Sequence, residues 1–253
     1  MKKIIALMLV LCMAFAFVAC AGTKDKADDT TVADTTVADT TVADAEDEVK
    51  VMTYAEYAAA ELDAKVVIEA YVQATQSWWD NKITVYAQDK DGAYFIYELA
   101  CAEEDAAKLV AGQKIRVTGT KAEWSGEVEI VDATFELIED ADAFVAEPLD
   151  ATDLLGKDEL IDHQNKLVSF KGLTIKSVEY KNGEPGDGND IYVNLTKGDA
   201  EYSFCVEAYL TGPDSDVYKA FADIKAGDVV DVEGFLYWYE GVNTHITKVT
   251  VAE

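Results

Sequence analysis

The side chains with most to offer chemically are aromatic. Ser77-Trp78-Trp79-Asp80-Asn81 sets two indoles side by side, Trp124 follows among polar residues, and Tyr237-Trp238-Tyr239 forms a third group. Such rings stack on sugar faces, on bases or on apolar peptide side chains. Catalytic constellations are missing by comparison: there is no Gly-x-Ser-x-Gly, no His-Glu-x-x-His, no Gly-rich phosphate loop and no Cys-x-x-Cys. The two histidines, His163 and His245, both fall in the second half of the chain, too few for a structural zinc site or a haem pocket. The expectation is a binding protein that is not an enzyme and carries no cofactor or metal.

Two acidic stretches, Asp89-Lys90-Asp91-Gly92 and Asp187-Gly188-Asn189-Asp190, put oxygens on turns without the alternating spacing of a calcium loop. Asp, Asn and Gly form such turns unaided. Cys101 and Cys205 each fall near the end of a third strand. A buried free thiol in each half is the economical reading; pairing them demands Cα atoms within ~7 Å.

Charge narrows the ligand. The chain carries 49 acidic against 21 basic side chains, a net charge of −28, with Arg116 its one arginine. Residues 51–147 hold 7 basic against 20 acidic groups. A phosphate backbone is repelled by such a surface, and one arginine leaves little bidentate phosphate chemistry. A neutral sugar meets no such penalty. The expected ligand is therefore an oligosaccharide or cell-wall glycan on Trp78, Trp79 and Trp124, with Tyr237 and Tyr239 serving the second half. The alternative is a protein-interaction or assembly subunit at the cell envelope; a nucleic-acid-binding OB protein is the third reading, which the charge opposes, so no nucleic-acid partner is expected. The same rings also suit a structural use, closing barrel ends and packing two modules together. Adjacent Trp78 and Trp79 on a strand face opposite sides, which sends one of them inward.

The elements that must position these rings come twice. Ile115-Arg116-Val117-Thr118-Gly119 matches Val230-Asp231-Val232-Glu233-Gly234, and Gly126 and Gly241 follow seven residues later with Trp124 and Tyr239 two positions before them. Val66-x-Ile68-x-Ala70-x-Val72 likewise matches Val168-x-Phe170-x-Gly172-x-Thr174. Each half predicts a short helix (from the Thr53-x-x-Glu56 capping box to Leu62; 157–164) and a long alternating strand (65–75; 166–178). A hairpin follows (82–89 with 93–99; 190–196 with 200–206), then a helix (103–110; 214–224) and two closing strands (113–123 with 127–137; 228–239 with 243–252). Five strands with a helix between the third and fourth is the order of the OB-fold, a Greek-key barrel. The expected fold class is mainly β: two tandem OB-like five-stranded barrels, each with a short helix before strand one and another between strands three and four. The helix in each unit argues against an immunoglobulin-like sandwich.

Ahead of these modules, Lys2 and Lys3 precede an apolar run from Ile4 to Val18, the form of a secretory signal. Phe17-Val18-Ala19-Cys20 resembles the lipobox of bacterial lipoproteins, departing at Phe17, where that family has Leu. The resemblance implies acylation of Cys20, cleavage before it, and a place outside the cytoplasmic membrane held by the lipid; an uncleaved anchor gives the same side of the membrane. Asp-Thr-Thr-Val-Ala then repeats three times from Asp29 to Ala43. This stretch is too polar to offset its ordering entropy and reads as a disordered acidic tether. The expected organisation is signal 1–19, acylated Cys20 and tether 20–50, and barrels at 51–147 and 148–253. The chain as a whole resembles secreted OB-fold lipoproteins of bacteria, a resemblance that implies no particular activity.

Overall fold

The structure, a computed structural model, describes residues 50–183, 186 and 188–252. The signal, Cys20 and the tether lie outside the described residues. The first half contains α1 (Tyr54–Ala59), β1 (Lys65–Thr75), β2 (Lys82–Gln88), β3 (Ala93–Ala100), α2 (Glu103–Ala106), β4 (Lys114–Trp124) and β5 (Glu127–Ile138). Its strands close into a barrel in the order β1-β2-β3-β5-β4. β1 is shared along its length: Lys65 to Tyr71 pair with β4, and Tyr71 to Thr75 pair with β2 across a bulge. Parallel pairing of β3 with β5 completes the ring.

The second half repeats the plan with β6 (Leu149–Asp150), β7 (Leu167–Tyr180), β8 (Ile191–Lys197), β9 (Ala200–Val206), α3 (Ala208–Thr211), α4 (Asp216–Ala220), β10 (Val229–Phe235) and β11 (His245–Val251). Its sheet runs β10-β11-β9-β8-β7-β6, and the β10–β7 pairing returns it on itself. β9 and β11 are parallel, as β3 and β5 are. The short β6 adds an outer edge parallel to β7.

Each half has its own apolar interior. Val66, Ile68, Ile96, Leu99, Ile115 and Val117 fill the first, and Val168, Phe170, Leu195, Phe204, Val230 and Ile246 the second. The repeated glycines are explained by strand contact. A Cβ on Gly234 would lie 2.2 Å from the carbonyl oxygen of His245, and one on Gly119 would lie 2.5 Å from Ile130 Cγ2, both beside bulges in the pairing.

α1 begins as its sequence predicts, with Glu56 N–H donating to Thr53 Oγ1 (3.2 Å) and Thr53 N–H donating to Glu56 Oε2 (2.8 Å). Its other end is held from the barrel: Lys121 Nζ donates to the carbonyls of Tyr57, Ala58 and Ala60 at 3.1, 2.9 and 2.8 Å. Tyr57 O also accepts from the cap Ala60 N–H (3.1 Å), and the buried ammonium supplies the last turn's remaining need for donors.

The remaining helices depart from expectation. Residues Asp158–His163 form a 3-10 helix rather than an α-helix, and α2 is one turn long. The helix expected over 214–224 is preceded by α3, which stops at Gly212 (φ 71°) because Pro213 cannot extend it. α4 then restarts from Ser215, whose Oγ accepts from Tyr218 N–H, and places Val217, Tyr218 and Phe221 in the core.

Candidate ligand-binding face

The ligand surface of an OB barrel is the outer face of its second and third strands, flanked by the loops after strands one and four. The two barrels, which belong to one compact unit, use this face in opposite ways.

In the first barrel the face is aromatic and covered. Tyr86 of β2 and Phe95 of β3 point away from the barrel interior yet are buried, because Phe235 of the second barrel packs on them. Tyr86 and Phe235 stack with centroids 4.5 Å apart at 24°, and Tyr237 meets Phe95 edge-on at 5.2 Å. Tyr237 also stacks on His245 (4.2 Å, 22°), and Tyr86 Oη lies 2.6 Å from His245 Nδ1. Gln76 Nε2 donates to the same phenol oxygen (3.2 Å), so the Tyr86 hydroxyl proton is free to point at the imidazole. Burial holds His245 far below its usual range, at about 3, and it stays neutral.

Backbone groups are matched across the joint as well. Gln88 Oε1 accepts from Leu167 N–H (2.9 Å), and Gln164 accepts from Val128 N–H (3.2 Å) and donates to Gly126 O (2.8 Å). Asn165 Nδ2 donates to Val128 O (3.1 Å). Glu127 is fully buried and accepts from Trp238 N–H (2.8 Å) through one oxygen, while the other has no partner among the described residues. Burial pushes its carboxyl up to about 9, so it is protonated at neutral pH. The turns after the fourth strands also touch, Glu240 N–H donating to Ser125 O at 2.8 Å.

The predicted site residues divide accordingly. Trp78 packs against the first core and donates to Cys101 O (2.9 Å), whereas Trp79 is 79% exposed. Both lie in the loop between β1 and β2, and neither is the ring that meets Trp124. Trp124 instead meets Tyr239, its counterpart in the other repeat, at 5.2 Å, and both rings stay about half exposed (54% and 45%). Tyr237 is a joint residue, not a free platform. Cys101 and Cys205 are both buried free thiols.

In the second barrel the corresponding face is polar and open. Asn194 of β8 donates to Ser177 Oγ and to Glu179 Oε1 of β7, each at 2.9 Å, and Lys176 pairs with Glu201 of β9 at 2.6 Å. These residues, with Tyr202 and Ser203, line a groove of about 370 Å³. Tyr192, 37% exposed, continues the row beyond Asn194. Between 167 and 206 there are four lysines and six acidic residues, so charge is nearly balanced on a chain that is acidic elsewhere. Sequence reasoning missed this face because Tyr192 is the single ring in the outward row of β8, beside Asn194 and Thr196.

No family model and no curated protein matches the chain. Solved structures do, at the level of fold. A murine DNA-binding protein bound with double-stranded DNA matches at 10% identity and TM-score 0.35, over 74% of this chain and 96% of that one. The Ifi202 HINa domain in complex with 20-base-pair double-stranded DNA matches at 12% identity and TM-score 0.33, over 75% and 100%. A Replication Protein A heterotrimer bound to single-stranded DNA matches at 10% and 0.29, over 75% of this chain and 49% of that one. Two expectations are corrected here. The ligand was expected to be a glycan, with an envelope protein as alternative, and nucleic acid was not expected as a partner; the structures that share this fold are described with DNA. Net charge is summed over the whole surface, while a ligand meets one face, and composition does not reveal which.

Proposed function

We propose that this chain is a non-catalytic binding protein whose ligand seat is the open face of the second barrel, and that the ligand is single-stranded nucleic acid. The observation that carries the reading is the contrast in occupancy: of two equivalent OB faces, one is filled by the protein itself and one is a solvent-open groove with hydrogen-bonding side chains, an exposed tyrosine and nearly balanced charge. Asn194, Ser177 and Ser203 offer donors and acceptors to base edges, and Tyr192 offers a stacking surface. Lys176 and Lys181 are already paired with Glu201 and Asp190. Stacking and hydrogen bonding therefore dominate over phosphate neutralisation, and the acidic remainder of the surface confines the strand to this face.

The protein also acts outside the cytoplasmic membrane in this reading, tethered through an acylated Cys20. The lipobox-like Phe17-Val18-Ala19-Cys20 and the acidic repeat after it support that placement. Mass spectrometry of the membrane fraction, searching for acyl groups on Cys20, tests it; a Cys20→Ala variant is expected to leave that fraction.

The binding test is fluorescence anisotropy with a labelled oligodeoxythymidine of about ten nucleotides, inside the ~4–16 nucleotide span of one OB-fold. Tyr192→Ala is expected to weaken binding about 5- to 150-fold, the equivalent of ~1–3 kcal/mol of base stacking. A salt slope much shallower than that of a phosphate-neutralising protein is expected. No change in anisotropy, or binding that Tyr192→Ala and Asn194→Ala leave intact, overturns the reading.

A further inference from the structure

Tyr86, Phe95 and Tyr97 form an outward aromatic row on β2 and β3, the position at which an OB barrel presents stacking rings to a ligand. Nothing in the barrel's own architecture requires that row, since the first core is complete on the other side of the same strands. What lies on it is a set of flat rings in stacking geometry. Phe235 lies nearly parallel to Tyr86, Tyr237 abuts Phe95, and His245 caps the Tyr86 hydroxyl. All three belong to the end of β10 and the start of β11 with the loop joining them.

We infer that the joint is an autoinhibitory contact: Phe235, Tyr237 and His245 are an internal ligand that keeps a second stacking face, on the first barrel, closed to external ligand. The inference rests on the preceding reading for the class of ligand and goes beyond it in assigning a second seat and a competitor for it. An incoming base and Phe235 demand the same side of the same tyrosine, so they cannot be bound together. Occupation of the second seat therefore requires the second barrel to withdraw its rings, which breaks the hydrogen bonds of Leu167 N–H to Gln88 and Trp238 N–H to Glu127.

The test uses the full-length chain carrying Tyr192→Ala and Asn194→Ala, so that the seat on the second barrel is silent, with the same oligodeoxythymidine as probe. With the joint intact this protein is expected to bind oligonucleotide only at large excess, because the probe must first displace Phe235 and Tyr237. With Phe235→Ala and Tyr237→Ala added, it is expected to bind one per chain. Circular dichroism of each variant establishes that the barrels are folded. A folded, opened variant that still binds nothing overturns the inference. Binding by the parent variant as tight as by the opened one instead overturns the assignment of the first seat.

Should the opened variant fail to fold, amide exchange in the wild-type chain decides the matter. Excess oligonucleotide is expected to speed exchange of the Leu167 and Trp238 amides, because it competes with the joint. Unchanged or slower exchange at both amides overturns the inference.

Discussion

The two β-hairpins Lys82–Ala100 and Ile191–Val206 occupy equivalent places in equivalent barrels and have opposite fates. Both send alternate residues inward to a core: Ile83, Val85 and Ala87 in one, Ile191, Val193 and Leu195 in the other. Their outward rows differ. Thr84, Tyr86 and Gln88 are all buried, whereas Tyr192, Asn194 and Thr196 all keep solvent access. A strand buried on both faces needs a second apolar surface to cover it, and the first hairpin receives one from the other barrel. The same scaffold thus yields a structural joint where its outer row is aromatic and a ligand surface where that row is polar. Which of the two forms depends on a few outward side chains, because the inward ones are interchangeable in character.

The comparison breaks most sharply with pH, through a carboxyl that belongs to the joint and has no counterpart on the open face. Glu127 is raised from 4.5 to about 9 in the folded protein. Its contribution to stability is therefore complete below pH ~4.5 and is lost as pH rises through about 9, at up to ~1.4 kcal/mol per pH unit. Glu127→Gln keeps the acceptor for Trp238 N–H and has no proton to lose. The variant is expected to gain stability relative to wild type steadily across that window, as measured by urea unfolding at successive pH values. His245 acts in the opposite sense: lowered from 6.5 to about 3, its contribution is present above pH ~6.5 and is lost as pH falls through about 3. In His245→Gln the acid-side loss of stability is expected to be smaller than in wild type.

Phe235→Ala, which empties the centre of the joint, is expected to cost ~3–5 kcal/mol, read from the midpoint of urea unfolding. A smaller loss than ~1 kcal/mol would mean that the rings are not the main bond between the barrels. Next comes Gln164→Ala, which strands the Val128 N–H and the Gly126 carbonyl away from solvent; ~1–3 kcal/mol is expected by the same measurement. The smallest effect belongs to the open face, where Tyr192→Ala is expected to change stability by less than ~0.5 kcal/mol while weakening oligonucleotide binding. Equal stability losses for Tyr192→Ala and Phe235→Ala would erase the distinction between the two faces.

Much of this architecture was legible in the chain. Alternation placed ten of the barrel strands because each has one face toward an apolar interior, and the matched Val-x-Gly phrases revealed the repeat because a close strand crossing tolerates only glycine at Gly119 and Gly234. The helices were less legible: segments of four to six residues carry too few turns for a periodic signal. Among the candidate site residues, the aromatic signal at Trp124, Tyr237 and Tyr239 was real, but it marked the seam between the barrels. Composition could register the rings without revealing whether water, ligand or protein would cover them. His245 carried no signal at all, since its burial depends on Tyr86, 159 positions away in the chain.

The sequence by itself determined the two β-barrels, their strand order and the acidic character of the whole, because backbone alternation, turn residues and charge are local or additive properties. Only the tertiary structure decided that the first barrel's outer face is closed and the second's is open. Closure is a matter of one surface meeting another, and Tyr86, Phe235 and His245 acquire their roles from that meeting and not from their neighbours in the chain.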